Sequence, residues 1–350
     1  MTTVLVTGGC GFIGSHFLRL LLTETDWRLV NLDKLTYAAS PERLEGVAEG
    51  DRYRFIQADI ADADAVDAIL AEERPWAVVN FAAESHVDRS ILDATPFLRT
   101  NVLGVQVLLD AARRHGVERF LHISTDEVYG DREGLPPAGE EESLRPSSPY
   151  AASKAAADLL CLSHWRTYGT PVLIVRSANN YGPYQFPEKL IPLMLRNALL
   201  GEELPVYGDG LQVRDWLYVE DNVRAVLAVL QRGATGEIYN VSAYQQRPNL
   251  EVVHTLCRLV AEETGQPLGE LLGRVRSVTD RPGHDRRYAV RAERVRKELG
   301  WQPRVDFQEG MRRTVRWYLE HRRWLEEVTR GAFQEYYDSV YRRAWGQRHG

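Results

Sequence analysis

Asp126 and Glu127 stand side by side in the run Ser124-Thr125-Asp126-Glu127-Val128-Tyr129-Gly130. Adjacent carboxyls in unlike surroundings can hold different protonation states, one serving as acid and the other as base, a pairing that suits elimination of water. The same segment also reads as a polar turn with a capping Asp, and alone it does not separate the two. Further along, Tyr150 and Lys154 lie at i and i+4 in Tyr150-Ala151-Ala152-Ser153-Lys154, directly after Pro149. On a helix they share one face. An ammonium beside a phenol stabilises the phenolate and makes the Tyr a usable base near neutral pH.

Nearer the start, Thr7-Gly8-Gly9-Cys10-Gly11-Phe12-Ile13-Gly14 spaces its glycines as GxxGxxG. Gly8, Gly11 and Gly14 permit a tight turn, close approach of a pyrophosphate, and packing of a helix on a strand, with the helix N-terminus facing the anion. Asp33 follows nineteen residues beyond Gly14. A carboxylate there accepts both hydroxyls of an adenosine ribose and repels a 2′-phosphate, favouring NAD over NADP. A solvated loop Asp beside Lys34 is the alternative. Asp59 and Ile60 are placed to meet the edge and face of an adenine, unless Asp59 is only a helix cap.

Such residues need strand ends and helix starts to hold them. Short apolar runs alternate with amphipathic stretches through the first half, the signature of βαβ units. Strands are expected near 3–7, 28–33, 53–57, 76–80, 118–124 and 171–176, with helices near 12–24, 62–73, 98–115 and 150–167. Beyond about residue 180, Pro183, Pro187, Pro192 and Pro205 punctuate shorter elements. The expected fold is α/β: a Rossmann-type doubly wound parallel sheet over residues 1–180, and a smaller mixed α/β C-terminal lobe over 181–350 with some segments returning to the first. Helices near 187–200, 249–263 and 308–325 belong to the second half. Met311 to Arg330 mixes Arg and Glu around Val315, Tyr318 and Leu319, which reads as a solvated amphipathic helix.

The charge balance of 43 basic against 49 acidic residues, with 44% hydrophobic composition, describes an ordinary globular chain and argues against a nucleic-acid binder. Cys10, Cys161 and Cys257 form no CxxC and no Cys/His cluster, so a reducing compartment and no metal are the simplest reading. Val4-Leu5-Val6 is too short for a signal peptide, and no apolar run approaches the roughly 20 residues that cross a bilayer. Cytoplasmic is the default.

With these residues in place, the chain resembles the extended short-chain dehydrogenase/reductase superfamily, and more narrowly the dTDP-glucose 4,6-dehydratases. The matching stretches are 7–15, 33–37, 81–90, 124–130, 150–154, 179–192, 213–216 and 280–288, spread in register over nearly the whole chain. The glycine loop and the Tyr-to-Lys segment belong to the superfamily at large. Thr125-Asp126-Glu127 and the blocks 179–192 and 280–288 are specific to the narrower family.

The resemblance implies bound NAD and a dTDP-glucose substrate. It makes Tyr150 the group that removes the proton of the sugar 4-hydroxyl, with Lys154 on the nicotinamide ribose holding the Tyr pKa down and Thr125 near O4. It gives Glu127 the C5 proton and Asp126 the departing 6-hydroxyl. Cofactor contacts would fall on Gly8, Gly11, Phe12, Ile13, Gly14, Asp33, Lys34, Thr36, Asp59, Ile60 and Ala82. Substrate contacts would come from Ser85, His86, Asn179, Asn180, Lys189, Leu190, Tyr207 and Asn249, with Arg214, Arg281 and His284 at the diphosphate and nucleoside. Arginine's forked donors match phosphate oxygens, whereas a lone His such as His86 is as readily a structural hydrogen-bonder. A homodimer pairing the helices near 98–115 and 150–167 is implied as well.

After Tyr239-Asn240-Val241, where relatives commonly carry a Gly-Gly-Asn/His-Asn-Glu run, this chain has Ser242-Ala243-Tyr244-Gln245-Gln246-Arg247-Pro248. Loss of two glycines requires another loop path, close to Asn249. Gln212 for Asn and Ser177-Ala178 for Cys-Ser are milder changes. The rival on the same scaffold is a 4-epimerase or UDP-sugar decarboxylase, which lacks the Asp-Glu pair. A rival of another class is an NAD-sensing binding protein, which would lack the Tyr/Lys pair.

Overall fold

Val4 and Val6 face one side of the first strand and Leu5 the other, and all three are buried. A strand apolar on both faces needs cover on both, which places it inside a parallel sheet flanked by helices. The computed structural model describes residues 1–330 apart from Glu49, together with Phe333 and Tyr337. The predicted second lobe therefore runs in part outside the described residues.

The first half runs β1 (Thr3–Thr7), α1 (Phe12–Glu24), β2 (Arg28–Asp33), β3 (Tyr53–Gln57), α2 (Ala63–Glu73), β4 (Ala77–Asn80), α3 (Val87–Leu92) and α4 (Thr95–Phe97). A π-helical stretch, Leu98–Gly104, leads into α5 (Val105–Arg114), then β5 (Arg119–Thr125), α6 (Pro149–Tyr168) and β6 (Val172–Ser177). The second half contributes β7 (Asn179–Tyr181), α7 (Leu190–Leu200), β8 (Leu204–Tyr207), β9 (Val213–Tyr218), α8 (Val219–Arg232), β10 (Ile238–Val241) and β11 (Gln246–Pro248). After these come α9 (Asn249–Thr264), α10 (Leu268–Leu272), β12 (Val275–Val278), α11 (Glu293–Leu299), α12 (Phe307–Glu320) and α13 (Arg322–Val328).

The main sheet has the order β10-β6-β5-β4-β1-β2-β3 with every pair parallel, a doubly wound Rossmann arrangement. Strand order reverses beside β1, opening a crevice at the carboxyl ends of β1 and β4 where ligands of such sheets bind. One face is covered by α1 and α8 and the other by α2, α5 and α6. Smaller sheets, β11-β9-β7 and β12-β8, pack with α7, α9 and α12 around a second core of Ile191, Met194, Trp216, Leu256 and Phe307.

The strands of the first half fall where alternation and apolar runs place them. In the second half some segments return to the first sheet, and one helix breaks. β10, with α8 and α11, joins the first sheet: β10 pairs with β6, and α8 packs on α1. The helix expected over 308–325 breaks at His321 (φ −112°, ψ 41°), whose Nδ1 meets the Trp317 carbonyl at 2.8 Å. The break turns Trp324 and Leu325 into the second core, a gain that outweighs one lost helical turn. Among the described residues no helix is long and apolar enough to cross a membrane.

Candidate active site

Gly8 has φ +70°, and a Cβ there would meet the Ala82 amide nitrogen at 2.6 Å; a Cβ on Gly14 would meet the Gly8 carbonyl at 2.3 Å. These two positions therefore admit only glycine. The loop delivers the N-terminus of α1, whose N-cap Gly11 offers no side-chain acceptor, so the first-turn N–H groups are left for an anion. At the end of β2, Asp33 accepts the Cys10 N–H at 2.9 Å through Oδ2 and the Leu35 N–H at 2.8 Å through Oδ1. Leu35 is held in the left-handed region, φ 59°, to make that bond. Both carboxylate oxygens keep lone pairs for a diol. These features fit the adenosine diphosphate half of NAD.

A cleft of about 280 Å³ opens above the loop. Gly8, Gly11, Phe12, Ile13, Gly14, Asp33, Lys34, Thr36, Ile60 and Ala82 all line it. Asp59 does not: its Oδ1 accepts the Ala61 N–H at 2.9 Å, and Arg99 stands 3.7 Å from Oδ2. Lys34 reaches Thr100 Oγ1 at 2.8 Å and Glu84 at 3.3 Å. Thr100 is a lining residue the sequence reading missed, because it sits mid-helix with no motif around it.

The far wall of the cleft carries Thr125, Asp126, Glu127, Tyr150 and Lys154. β5 ends at Thr125, whose Oγ1 accepts the Glu127 N–H at 3.3 Å and so folds Asp126–Tyr129 into a tight turn that points both acids at one space. Asp126 is 2% exposed, and its Oδ2 has no partner. Its carboxyl is pushed well above the usual range by burial first, then by the charges of Glu127 and Asp215. These surroundings favour the protonated acid over the carboxylate. Glu127 is less buried, and its Oε2 also lacks a partner. Asp215, which lies in the matching stretch 213–216 but was assigned no role there, enters from β9, where Ser242 and the N–H groups of Tyr244 and Gln245 bind it.

Ser148 caps α6 by accepting the Ala151 N–H at 3.1 Å, which fixes the helix start and sets Tyr150 at its mouth. The Tyr150 phenol is pushed up by burial, then by Glu127 and Asp126, while a hydrogen bond to Thr125 pulls it down. Lys154 Nζ donates to the Ile123 carbonyl at 2.6 Å and lies 3.2 Å from His122 Nε2. Burial lowers it to about 8, against Asp158, which raises it. Tyr150 and Lys154 leave the same helix and both line the cleft.

Ser85, Asn179, Asn180 and Lys189 line the same cleft. Lys189 donates to the Ser85 carbonyl at 2.6 Å, and the Oδ1 atoms of Asn179 and Asn180 are buried without partners. Glu188, within the same block, lines the cleft too and accepts from Tyr37 at 3.0 Å and Arg89 at 3.2 Å. Leu190 opens α7 just behind them.

His86, Tyr207, Arg214, Asn249, Arg281 and His284 stand outside that lining, and three of them, Tyr207, Arg281 and His86, meet at Asp88. Tyr207 and Arg281 bond its carboxylate, His86 lies 3.9 Å from it, and the His284 ring sits 6.0 Å from that of Tyr207. Arg214 donates to the Asp285 carbonyl at 2.9 Å and lies 4.1 Å over the Tyr288 ring. The Glu127 charge acts on Lys189, Arg214 and Arg281, so this group adjoins the acid pair. Asn249 donates its N–H to the Gln212 carbonyl at 3.0 Å, and its Oδ1 is buried without a partner. The loop before it takes the path that missing glycines demand through Tyr244 at φ 57°, pinned by its hydroxyl accepting the Ala292 N–H at 2.8 Å.

A parallel doubly wound sheet, a glycine loop at its crevice and a Tyr/Lys pair opposite define the class, an extended short-chain dehydrogenase/reductase. Within it, the chain belongs to the GDP-mannose 4,6 dehydratase family, whose model matches residues 5–314. It is 47% identical to a dTDP-glucose 4,6-dehydratase of Shigella flexneri, over 97% of this chain and 98% of that one. To the enzyme of that name from Neisseria meningitidis it is 48% identical, over 95% and 98%. Among solved structures it is similar to the dTDP-glucose 4,6-dehydratase DesIV of Streptomyces venezuelae, bound to NAD and dTDP. The TM-score is 0.88 at 45% identity, covering 93% of this chain and all of that one. A UDP-glucose 4-epimerase of Thermotoga maritima shares the fold, TM-score 0.81, at 29% identity over 91% of this chain and 99% of its own.

Proposed function

We propose that the protein converts dTDP-glucose to dTDP-4-keto-6-deoxy-glucose as an NAD-dependent hydro-lyase. The observation that carries this reading is the placing of buried Asp126, with its Oδ2 unpartnered, beside Glu127 in the cleft that also holds Tyr150. A 4-epimerase needs only the Tyr/Lys pair; an adjacent acid and base serve elimination of water. NAD, when bound, supplies a hydride acceptor that is restored at the end of the cycle. The glycine loop and Asp33 hold its adenosine diphosphate half, and Lys154 its other ribose.

Tyr150 takes the proton of the sugar 4-hydroxyl, with Thr125 orienting O4. The resulting 4-ketone acidifies the C5 proton, and Glu127 removes it. Asp126 donates its proton to O6 as the C6–O bond breaks and water leaves. Glu127 then returns a proton to C5 as C6 is reduced. Residues 1–180 bind cofactor and carry the chemistry, and residues 181–350 mainly bind the nucleotide through Arg214, Arg281, His284, Tyr207 and Asn249. We also place the protein in the cytoplasm as a homodimer. Exposed Leu98, Leu103 and Leu159 on the helical stretches 98–114 and 149–168 support that pairing.

Incubation with dTDP-glucose should yield a product with the alkali-induced absorbance of a 4-keto-6-deoxy sugar. No such product, with NAD present in the protein, overturns the reading.

A further inference from the structure

Asp88 is buried on α3, and both of its carboxylate oxygens are taken by residues far along the chain. Tyr207 Oη donates to Oδ2 at 2.8 Å and Arg281 Nη1 to Oδ1 at 2.9 Å. An acidic residue in the first turn of a helix ordinarily answers the helix dipole. Here each oxygen reaches across to the second lobe. The two-stranded β8–β12 sheet explains the convergence. Its register pairs Tyr207 with Val278, so both strands end together, and the chain leaving β12 carries Arg281 back over that point.

Arg281 retains donor capacity. Its Nε is buried and has no hydrogen-bond partner, while Nη1 is on Asp88. A guanidinium presents its donors as a planar fork, so an anchored edge leaves the other aimed and ready for an anionic acceptor such as a diphosphate. Two residues beyond Asp88 on the same short helix, Ser90 Oγ accepts the Tyr150 N–H at 3.2 Å. The helix that holds the nucleotide-side residues therefore also touches the start of the helix that carries the phenol.

We propose that Asp88 is a positioning residue. It clamps Tyr207 and Arg281 to α3 and so fixes the nucleoside diphosphate end of the substrate at a set distance from Tyr150. The clamp rests on the reading of the site given above. It predicts that loss of Asp88 weakens substrate and nucleotide binding far more than it slows chemistry.

The test compares wild type, Asp88→Asn, Tyr207→Phe and the double variant, all as NAD-loaded protein. Turnover of dTDP-glucose and calorimetric binding of dTDP are both measured. In Asp88→Asn, KM and the dTDP Kd should rise about tenfold, as for loss of a charged hydrogen bond, with kcat changed less than about twofold. The double variant should be no worse than Asp88→Asn, because both changes remove one shared contact. Unchanged affinity, a fall in kcat at constant KM, or single effects that multiply in the double variant each overturn the clamp. Should Asp88→Asn fail to fold, Tyr207→Phe removes only a hydroxyl. A rise of about threefold in dTDP Kd then supports the clamp, and none overturns it. Because dTDP binding is read without turnover, a wild type that binds dTDP but fails to dehydrate dTDP-glucose counts against the reaction and not against the clamp.

Discussion

Lys154 Nζ donates to the carbonyl of Ile123 at 2.6 Å, anchoring the catalytic helix to the end of the strand that carries Thr125. The ammonium is thereby drawn toward the sheet, and the surroundings of Tyr150 favour the neutral phenol: burial first, then two neighbouring acids. In the cofactor-free protein Tyr150 should stay protonated across the neutral range. Raising the pH does not help, since Lys154 itself loses its charge at about 8. Tyrosinate absorbance of wild type minus Tyr150→Phe checks this; a Tyr150 signal titrating below about 10 contradicts it.

Lys154 also bears on stability. Its folded pKa of about 8 lies under the ordinary 10.5, so burying the charged form costs stability in full below about 8, and the cost fades as pH rises from there toward 10.5. Lys154→Met should raise the unfolding midpoint by roughly 2–4 °C at pH 7 and by less at each higher pH, while abolishing turnover. Calorimetric scans across that range measure it. A gain that grows with pH would show the sign to be wrong.

The acid pair predicts separable half-reactions. Tyr150→Phe should block C4 oxidation, with turnover down about 10²–10⁴-fold. Glu127→Gln and Asp126→Asn should still oxidise C4 and stall before water is lost. Single-turnover absorbance of the reduced cofactor distinguishes them, and equal loss of oxidation in all three refutes the division. Asp126 holds its proton above the ordinary carboxyl range, so activity should fall as rising pH removes it. Asp126→Asn should stabilise the fold at neutral pH by about 1 kcal/mol, because the raised pKa marks an environment that prefers a neutral group.

Gly14→Ala places a methyl 2.3 Å from the Gly8 carbonyl, backbone that cannot yield without moving the loop. Stability should fall by about 1–3 kcal/mol. NAD released from the denatured variant should be well below one per chain, as quantified by absorbance. Wild-type content in the variant would show that the loop does not bind the pyrophosphate.

Leu103 and Leu159 are exposed on the helices assigned to the two-fold pairing. Leu103→Glu with Leu159→Glu should convert a dimer to monomers in light scattering, because like charges replace apolar contacts at the seam. An unchanged mass places the dimer contact elsewhere.

Local pattern determined a good deal on its own. Alternating and apolar runs marked the strands from Thr3 to Ser177, the spacing of Gly8, Gly11 and Gly14 marked the turn into α1, and Tyr150 with Lys154 marked one helix face. Each is written in residues close along the chain, where periodicity and steric need act directly. What only the folded chain decided depends on residues far apart. β10 returned to the first sheet from beyond residue 180, out of the rhythm of the first half. Burial, with the charges of Glu127 and of Asp215 on β9, raised the Asp126 carboxyl, the Ile123 carbonyl took a hydrogen bond from Lys154, and Asp88 gathered Tyr207 and Arg281. Burial and charge act through space, and a sequence spacing of 89 or 193 residues carries no trace of a distance of a few ångströms.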